Sequence, residues 1–300
     1  MKIFMKELQS EGLIFYIVDV FAEYRYSGNQ LAVVISGNKL SDEEMQLIAK
    51  EMNFSETSFI TSVKNHDVRI FTPKLELPFA GHPTIGTAYV LQQEFIKSKT
   101  KTLSLNLKIG QIGILFKYKG DIISEIWMEH KEPTFNGFFA PDLVADVLNL
   151  DESDIDGRFK IQGVSTGVPT IIVPLKSLDA VKRVKIDHEK YYNLIENTQA
   201  KTILVFCSET YNKNNDLNVR FFADFFGVPE DPATGSANGC LAAYLVKYEY
   251  FGKKKIDIRV EQGYEIGRES LLLLKAEENK EKYNITIGGK AIIVAKGKLL

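Results

Sequence analysis

The sequence predicts an α+β protein of two pseudo-symmetric domains, each a curved, mostly antiparallel β-sheet or barrel around one central α-helix. Three observations carry this. First, ELPFAGHPTIGTAY at Glu76–Tyr89 and EDPATGSANGCLAAY at Glu230–Tyr244 share one design: an acidic residue, a proline, an alanine, a small turn and then a helix. Second, the match extends outward, from Val68-Arg69-Ile70-Phe71 and Val219-Arg220-Phe221-Phe222 before the turns to Val90-Leu91 and Leu245-Val246 after them. Two copies about half a chain apart indicate a duplicated domain, because a stacked array needs at least about three repeats. Third, both helices carry small residues on nearly every side, which suits a helix wrapped by sheet.

Taken in order, Leu13–Phe21 reads as a mostly buried strand and Asn29–Ser36 as its neighbour, with Tyr26-Ser27-Gly28 turning between them. Gly167–Leu175 is the counterpart in the second half. Ser41 with Glu44 three residues on forms a capping box, and Met45, Ile48, Ala49 and Met52 give the helix one apolar face that ends near Asn53. Glu56 lies in a turn entering a β-branched and aromatic run, and His66–Phe71 is a further strand. A central helix over Thr84–Phe95 follows, then antiparallel strands at Leu103–Leu107, Gln111–Tyr118 and Ile122–His130. Lys131–Ala140, broken by Pro133 and Gly137, reads as the crossing between halves, so the domains are placed at 1–132 and 133–300.

The cycle then repeats. Short helical or turn segments are expected at Pro141–Leu148 and Asp151–Ile155, strands within Phe159–Leu175, and a helix at His188–Asn197. Strands at Thr202–Cys207 and Val219–Phe225 precede the second helix, Ser236–Phe251, and strands close the chain. Gly288-Gly289 reads as a hairpin turn rather than a phosphate loop.

Composition narrows the function. With 300 residues, 45% hydrophobic and 25% charged, the chain is that of a globular protein large enough for two domains. A formal net charge of −2 leaves no electrostatic footprint for nucleic acid or an anionic membrane. The first residues, MKIFMKELQSEG, lack an apolar run of signal-peptide length, and two cysteines, Cys207 and Cys240, are too few for a disulfide framework. A cytoplasmic protein is expected.

The four histidines and two cysteines show no metal-ligand spacing, and no Ser-centred nucleophile elbow occurs, so acid/base chemistry remains, without metal or cofactor. A helix N-terminus carries unpaired N–H groups and about half a positive charge, and Gly81 and Gly235 let a ligand come close to that backbone. Glycine and proline can shape a helix start with no ligand, and Pro83 suits a first helical position. Two matching turns, each beside a polar side chain, His82 or Ser236, point instead to a small carboxylate-bearing substrate. Glu56, beside Phe54, is the candidate general acid/base, since partial burial would raise its pKa toward neutrality. A Glu before a strand is otherwise a solvated or capping residue, and Asp231-Pro232 otherwise an ordinary turn.

These residues resemble the phenazine-biosynthesis PhzF-like family, within the diaminopimelate epimerase-like fold. The resemblance runs from Val18-Asp19-Val20-Phe21 and Gly28-Asn29, through Ser55-Glu56-Thr57 and Pro78-Phe79-Ala80-Gly81-His82-Pro83, to Glu230–Ala237 and Glu261-Gln262-Gly263. It implies an active site in the cleft between the domains, with Glu56 as acid/base and His82, Asp231 and Ser236 orienting the substrate. Gly81 and Gly235 would supply anion-binding N–H groups, with Asn29 and Thr234 also among the substrate-binding residues. It also implies a homodimer. Related epimerases place two cysteines where this chain has Ala80 and Thr234, so two-cysteine racemisation is not expected. The expectation is a cofactor-independent isomerase moving a proton between carbons. The alternatives are an amino-acid epimerase or racemase with a different second base, and a non-catalytic binding module on the same fold.

Overall fold

The computed structural model of the chain describes residues 12–300; the stretch read above for a signal peptide lies outside the described residues, apart from Gly12. The first half contains strands β1 (Leu13–Val20) and β2 (Asn29–Ile35), helix α1 (Asp42–Met52), strands β3 (Glu56–Ser62), β4 (Asp67–Phe71) and the short β5 (Glu76–Leu77), helix α2 (Gly81–Val90), and strands β6 (Thr102–Leu107), β7 (Gly110–Lys119) and β8 (Ile122–Glu129). The second half runs β9 (Thr134–Phe138), α3 (Pro141–Leu148), β10 (Gln162–Ser165), β11 (Thr170–Pro174), α4 (Leu178–Arg183), α5 (His188–Ile195), β12 (Thr202–Cys207), β13 (Leu217–Phe222), α6 (Gly235–Lys247), β14 (Lys255–Gln262), β15 (Ser270–Asn279) and β16 (Lys282–Gly289), before β17 (Ala291–Leu299).

The duplication is written in the pairing. From β1, antiparallel to β2, the ladder continues parallel to β3, antiparallel to β4, parallel to β6, then antiparallel through β7 and β8. From β10 the same order recurs through β11, β12, β13, β14, β15 and β16. Parallel neighbours need a long crossover. In each half the second crossover is the central helix, α2 between β4 and β6, α6 between β13 and β14. Both helices lie inside the curved sheet because they are apolar or small all round: Gly81–Ala88 and Val90 are buried in α2, and Gly235 and Ala237–Val246 in α6. By contrast α1 is amphipathic; its Met45 and Ala49 pack on the outer face of the sheet with Phe59 and Phe71.

Helix α1 begins at the expected capping box of Ser41 and Glu44 and ends with Asn53 in the left-handed region, φ 54°. Helix α2 begins at Gly81, so Pro83 is its third residue; the N–H that it lacks is still one of the four without an intrahelical partner. After Val90 the helix widens into a π-helical segment, Leu91–Ile96.

Three segments depart from the sequence reading. Strand β9 runs through Gly137 within the expected crossing; it pairs only with β10 among the described residues, and an edge position tolerates the glycine. The last strand, β17, pairs antiparallel with β1 from Leu13↔Leu299 to Val20↔Ala291, so the chain's end completes the sheet of the first half across the 132/133 division. Gly288 and Gly289 are no hairpin turn. They lie within β16, opposite Trp127 and Ile126 of β8, the pairing that joins the two halves. A methyl group on Gly288 would sit 2.4 Å from the Trp127 ring, and one on Gly289 2.6 Å from Phe21, so the glycines make room for these aromatic rings.

Candidate active site

Helices α2 and α6 meet head to head at the junction of the halves. A methyl on Gly81 would lie 3.3 Å from the Ser236 nitrogen and 3.4 Å from Gly235 Cα; one on Gly235 would lie 3.3 Å from Phe21 Cζ. Neither helix has a side-chain cap at its N-cap residue, Ala80 or Thr234, and neither carries an acidic residue in its first turn. The outer helix α1 is capped and has Asp42, Glu43 and Glu44 there. The inner pair therefore keeps its positive ends and free N–H groups for something else.

Around this junction the duplicated turns bring the expected residues together. Glu56 opens β3, and His82 is the second residue of α2. Glu56 Oε2 lies 3.5 Å from His82 Nε2, with the side chains only 17% and 5% exposed. Both atoms are buried and without a hydrogen-bond partner among the described residues. Asn29, the first residue of β2, bridges the halves: its amide nitrogen lies 2.9 Å from Asp231 Oδ1, 2.9 Å from the Ala233 carbonyl and 3.3 Å from His82 Nδ1. Ser55 Oγ donates to Asn29 Oδ1 at 3.4 Å. Ser236 is half-buried at the second position of α6.

Thr234 is tied into the wall of the site. Its hydroxyl donates to Asp231 and accepts from Gln262 Nε2 at 3.1 Å, while its N–H donates to Gln262 Oε1 at 3.1 Å. Gln262 also donates to the Asp231 carbonyl at 2.8 Å and accepts from Asn238 Nδ2 at 2.9 Å. Its place in the Glu261-Gln262-Gly263 motif was legible in the sequence, but its work as a buttress was not. Glu261, wholly buried, instead accepts from the Tyr211 and Asn212 nitrogens at 2.8 Å and holds the loop before β13.

Burial sets the protonation states. It raises the Glu56 carboxyl to about 8, with the Asp231 charge adding and Ser55 opposing. Burial lowers His82 to about 3, opposed by the Gln30 backbone. Asp231 is raised to about 6, again mainly by burial, against its bonds from Thr234 and Asn29. Near neutrality Glu56 is thus mostly a neutral acid facing a neutral imidazole 3.5 Å away. A carboxyl of this strength can both give and accept a proton at physiological pH.

Neither cysteine belongs to this arrangement as an acid/base. Cys207 and Cys240 are free and fully buried, and burial pushes both thiols above their usual range. Among the described residues, no group of three or more His, Cys, Asp or Glu side chains could hold a metal ion, and no helix is long and apolar enough to cross a membrane.

A doubled α+β unit whose two inner helices point their uncapped N-termini at a buried carboxyl and imidazole defines an epimerase-like class of protein. Within that class, the family model for phenazine biosynthesis-like proteins matches residues 18–297, and the chain belongs to this family. An uncharacterized isomerase of Bacillus subtilis is 32% identical over 91% of this chain and 94% of its own length. The trans-2,3-dihydro-3-hydroxyanthranilate isomerase of Pseudomonas fluorescens is 31% identical over 95% of this chain and 99% of its own. The crystal structure of a PhzF-family protein from Bacillus anthracis superposes with a TM-score of 0.88 at 30% identity, covering 97% of this chain and 99% of that one. The chain is an isomerase of the PhzF-like type, with the diaminopimelate epimerase-like fold.

Proposed function

We propose that the chain moves a proton between two carbons of a small, carboxylate-bearing substrate, with Glu56 as the acid/base and without a cofactor. The observation that carries this is the buried pair of otherwise unpartnered atoms, Glu56 Oε2 and His82 Nε2, 3.5 Å apart beside two uncapped helix N-termini. In its carboxylate form Glu56 takes a proton from a C–H bond. The electron pair left behind delocalises through the substrate, and the carboxylic acid so formed returns the proton at another carbon. Glu56 ends as it began, and nothing is oxidised or reduced.

Charge that develops on the substrate is met by the N–H groups at Gly81 and Gly235, fixed before reaction begins. Ser236 and His82 orient the substrate's polar groups, while Asp231 accepts from an amino or hydroxyl group of the substrate. The P. fluorescens relative acts on a ring compound bearing such groups, which makes trans-2,3-dihydro-3-hydroxyanthranilate the first compound to try. On the family resemblance, the working form is a cytoplasmic homodimer.

The test is proton exchange in D2O, read by NMR, for the wild type and Glu56→Gln with that compound and a panel of amino and cyclic carboxylic acids. Deuterium entering at the carbon that receives the proton, only when Glu56 is present, is the expected result. Deuterium at an α-carbon with loss of chirality would make the chain an epimerase instead. Full proton transfer by Glu56→Gln would remove Glu56 from the mechanism.

A further inference from the structure

We propose that Arg268 is the positioning residue that sets Asn29 between His82 and Asp231, so that its guanidinium aligns the groups from both halves that orient the substrate beside Glu56. The proposal rests on reading Glu56 as the acid/base and His82 and Asp231 as the groups that orient the substrate beside it.

Arg268 lies in the connection between β14 and β15. Its Nε donates to the Gly28 carbonyl at 2.9 Å, and its Nη2 donates to the Ser27 carbonyl at 2.7 Å and to Asp19 Oδ1 at 2.9 Å. The other oxygen of Asp19, a residue 1% exposed, accepts from the Tyr26 nitrogen at 2.6 Å. One guanidinium and one buried carboxylate therefore hold Tyr26, Ser27 and Gly28 in succession, and the next residue is Asn29.

Within the turn itself Ser27 Oγ donates to the Tyr24 carbonyl at 2.6 Å, but that bond does not reach Tyr26 or Gly28. Tyr26 and Gly28 both have φ of 69°, a left-handed conformation unfavourable for a residue with a Cβ such as Tyr26. A methyl on Gly28 would lie 2.4 Å from the Val20 carbonyl oxygen, so the chain passes too close to β1 for any other residue. Partners outside the turn impose this shape.

The backbone of Arg268 reaches the opposite side of the site. Its N–H donates to the Gly263 carbonyl at 2.9 Å. Gly263, at φ 80°, packs so tightly that a methyl there would lie 2.4 Å from the Arg268 carbonyl oxygen and 2.6 Å from that of Pro232. Pro232 follows Asp231. The side chain of Arg268 thus holds the turn that presents Asn29, its backbone holds Gly263, which packs against the turn that presents Asp231, and the two turns close on each other through the 2.9 Å bond from Asn29 to Asp231. Three acceptors fanned around a planar, fixed set of donors suit arginine and not lysine.

The test uses the full chain with Arg268→Gln, Arg268→Lys and Asp19→Asn. In Arg268→Gln the Asn29 side-chain amide and His82 ring-nitrogen resonances are expected to shift while unfolding stays cooperative. Turnover in the proton-transfer assay is expected to fall roughly ten- to hundredfold, as for small misplacements of reacting groups, with KM changing far less. Lysine should restore little of it, and Arg268→Gln added to Asn29→Ala should cost nothing more than Asn29→Ala alone. Unshifted Asn29 and His82 resonances, or losses that multiply in the double variant, would reduce Arg268 to a structural tie and overturn the proposal. Should Arg268→Gln fail to fold, Asp19→Asn decides by the same resonances, and loss of folding in both counts against a positioning role. The resonances need no substrate, so absence of turnover on every compound would refute the isomerase mechanism and leave this inference standing.

Discussion

Gly81 and Gly235 touch across the junction of the two halves: the methyl that Gly81 lacks would fall 3.4 Å from Gly235 Cα. Each helix start is thus the wall against which the other is packed.

Gly81→Ala is therefore expected to push the helix ends apart by a few tenths of an ångström. The cost should be about 1–3 kcal/mol of stability, typical of overpacking, with a larger proportional loss of ligand binding because both anion-binding turns move. Thermal unfolding and substrate titration of the same preparation check this. Equal losses in Ser236→Ala and Gly81→Ala would show that the backbone approach is not the determinant.

The pH dependence of kcat/KM should follow Glu56. With its pKa raised to about 8, the base form grows as pH increases, so kcat/KM should rise through neutrality and level off above about 8. A profile that falls across this range would mean that the acid form acts first. His82, lowered to about 3, should contribute no inflection between pH 5 and 9.

Stability carries the opposite signature. The folded chain holds the Glu56 proton up to about pH 8, whereas an unfolded Glu releases it near 4.5, so this group favours unfolding increasingly as pH rises between the two. The slope is at most about 1.4 kcal/mol per pH unit. His82 acts at the other end: unfolded, it gains a proton below about 6.5 that the folded site refuses down to about 3, so its stability contribution is lost as pH falls through that range. Denaturant unfolding from pH 4 to 9 should show Glu56→Gln gaining on the wild type as pH rises and His82→Gln gaining as it falls.

Gly288→Ala offers a structural contrast. Its methyl meets the Trp127 ring at 2.4 Å, at the strand pairing that joins the halves. A loss of about 1–3 kcal/mol is expected, with kcat per folded molecule unchanged because no site residue moves. A shifted Trp127 fluorescence maximum should accompany it.

Much of this protein was legible before folding. The doubled turn revealed the duplication, the capping box at Ser41 and the stop near Asn53 bounded α1, β12 fell on the strand expected at Thr202–Cys207, and Pro141–Leu148, read as a helical or turn segment, is helix α3. Those features are local, written within one turn or one strand. The misread segments, Gly137 and Gly288-Gly289, share a cause: a glycine breaks a pattern when only neighbours in sequence are considered, but suits a strand at a sheet edge or beneath an aromatic ring from elsewhere in the chain.

The sequence by itself determined the doubled α+β unit and a helix after each repeated turn, and with the family resemblance it nominated Glu56, His82, Asp231 and Ser236 to carry chemistry, because turn chemistry and motif are local; the start of α2 at Gly81 rather than near Pro83 came from the structure. Only the tertiary structure decided that Thr234 is consumed by Asp231 and Gln262, that Asn29 spans the two halves, and that Arg268 reaches back to Asp19. It also decided the proton on Glu56, because burial, which raises its pKa, depends on groups brought together from both halves of the chain.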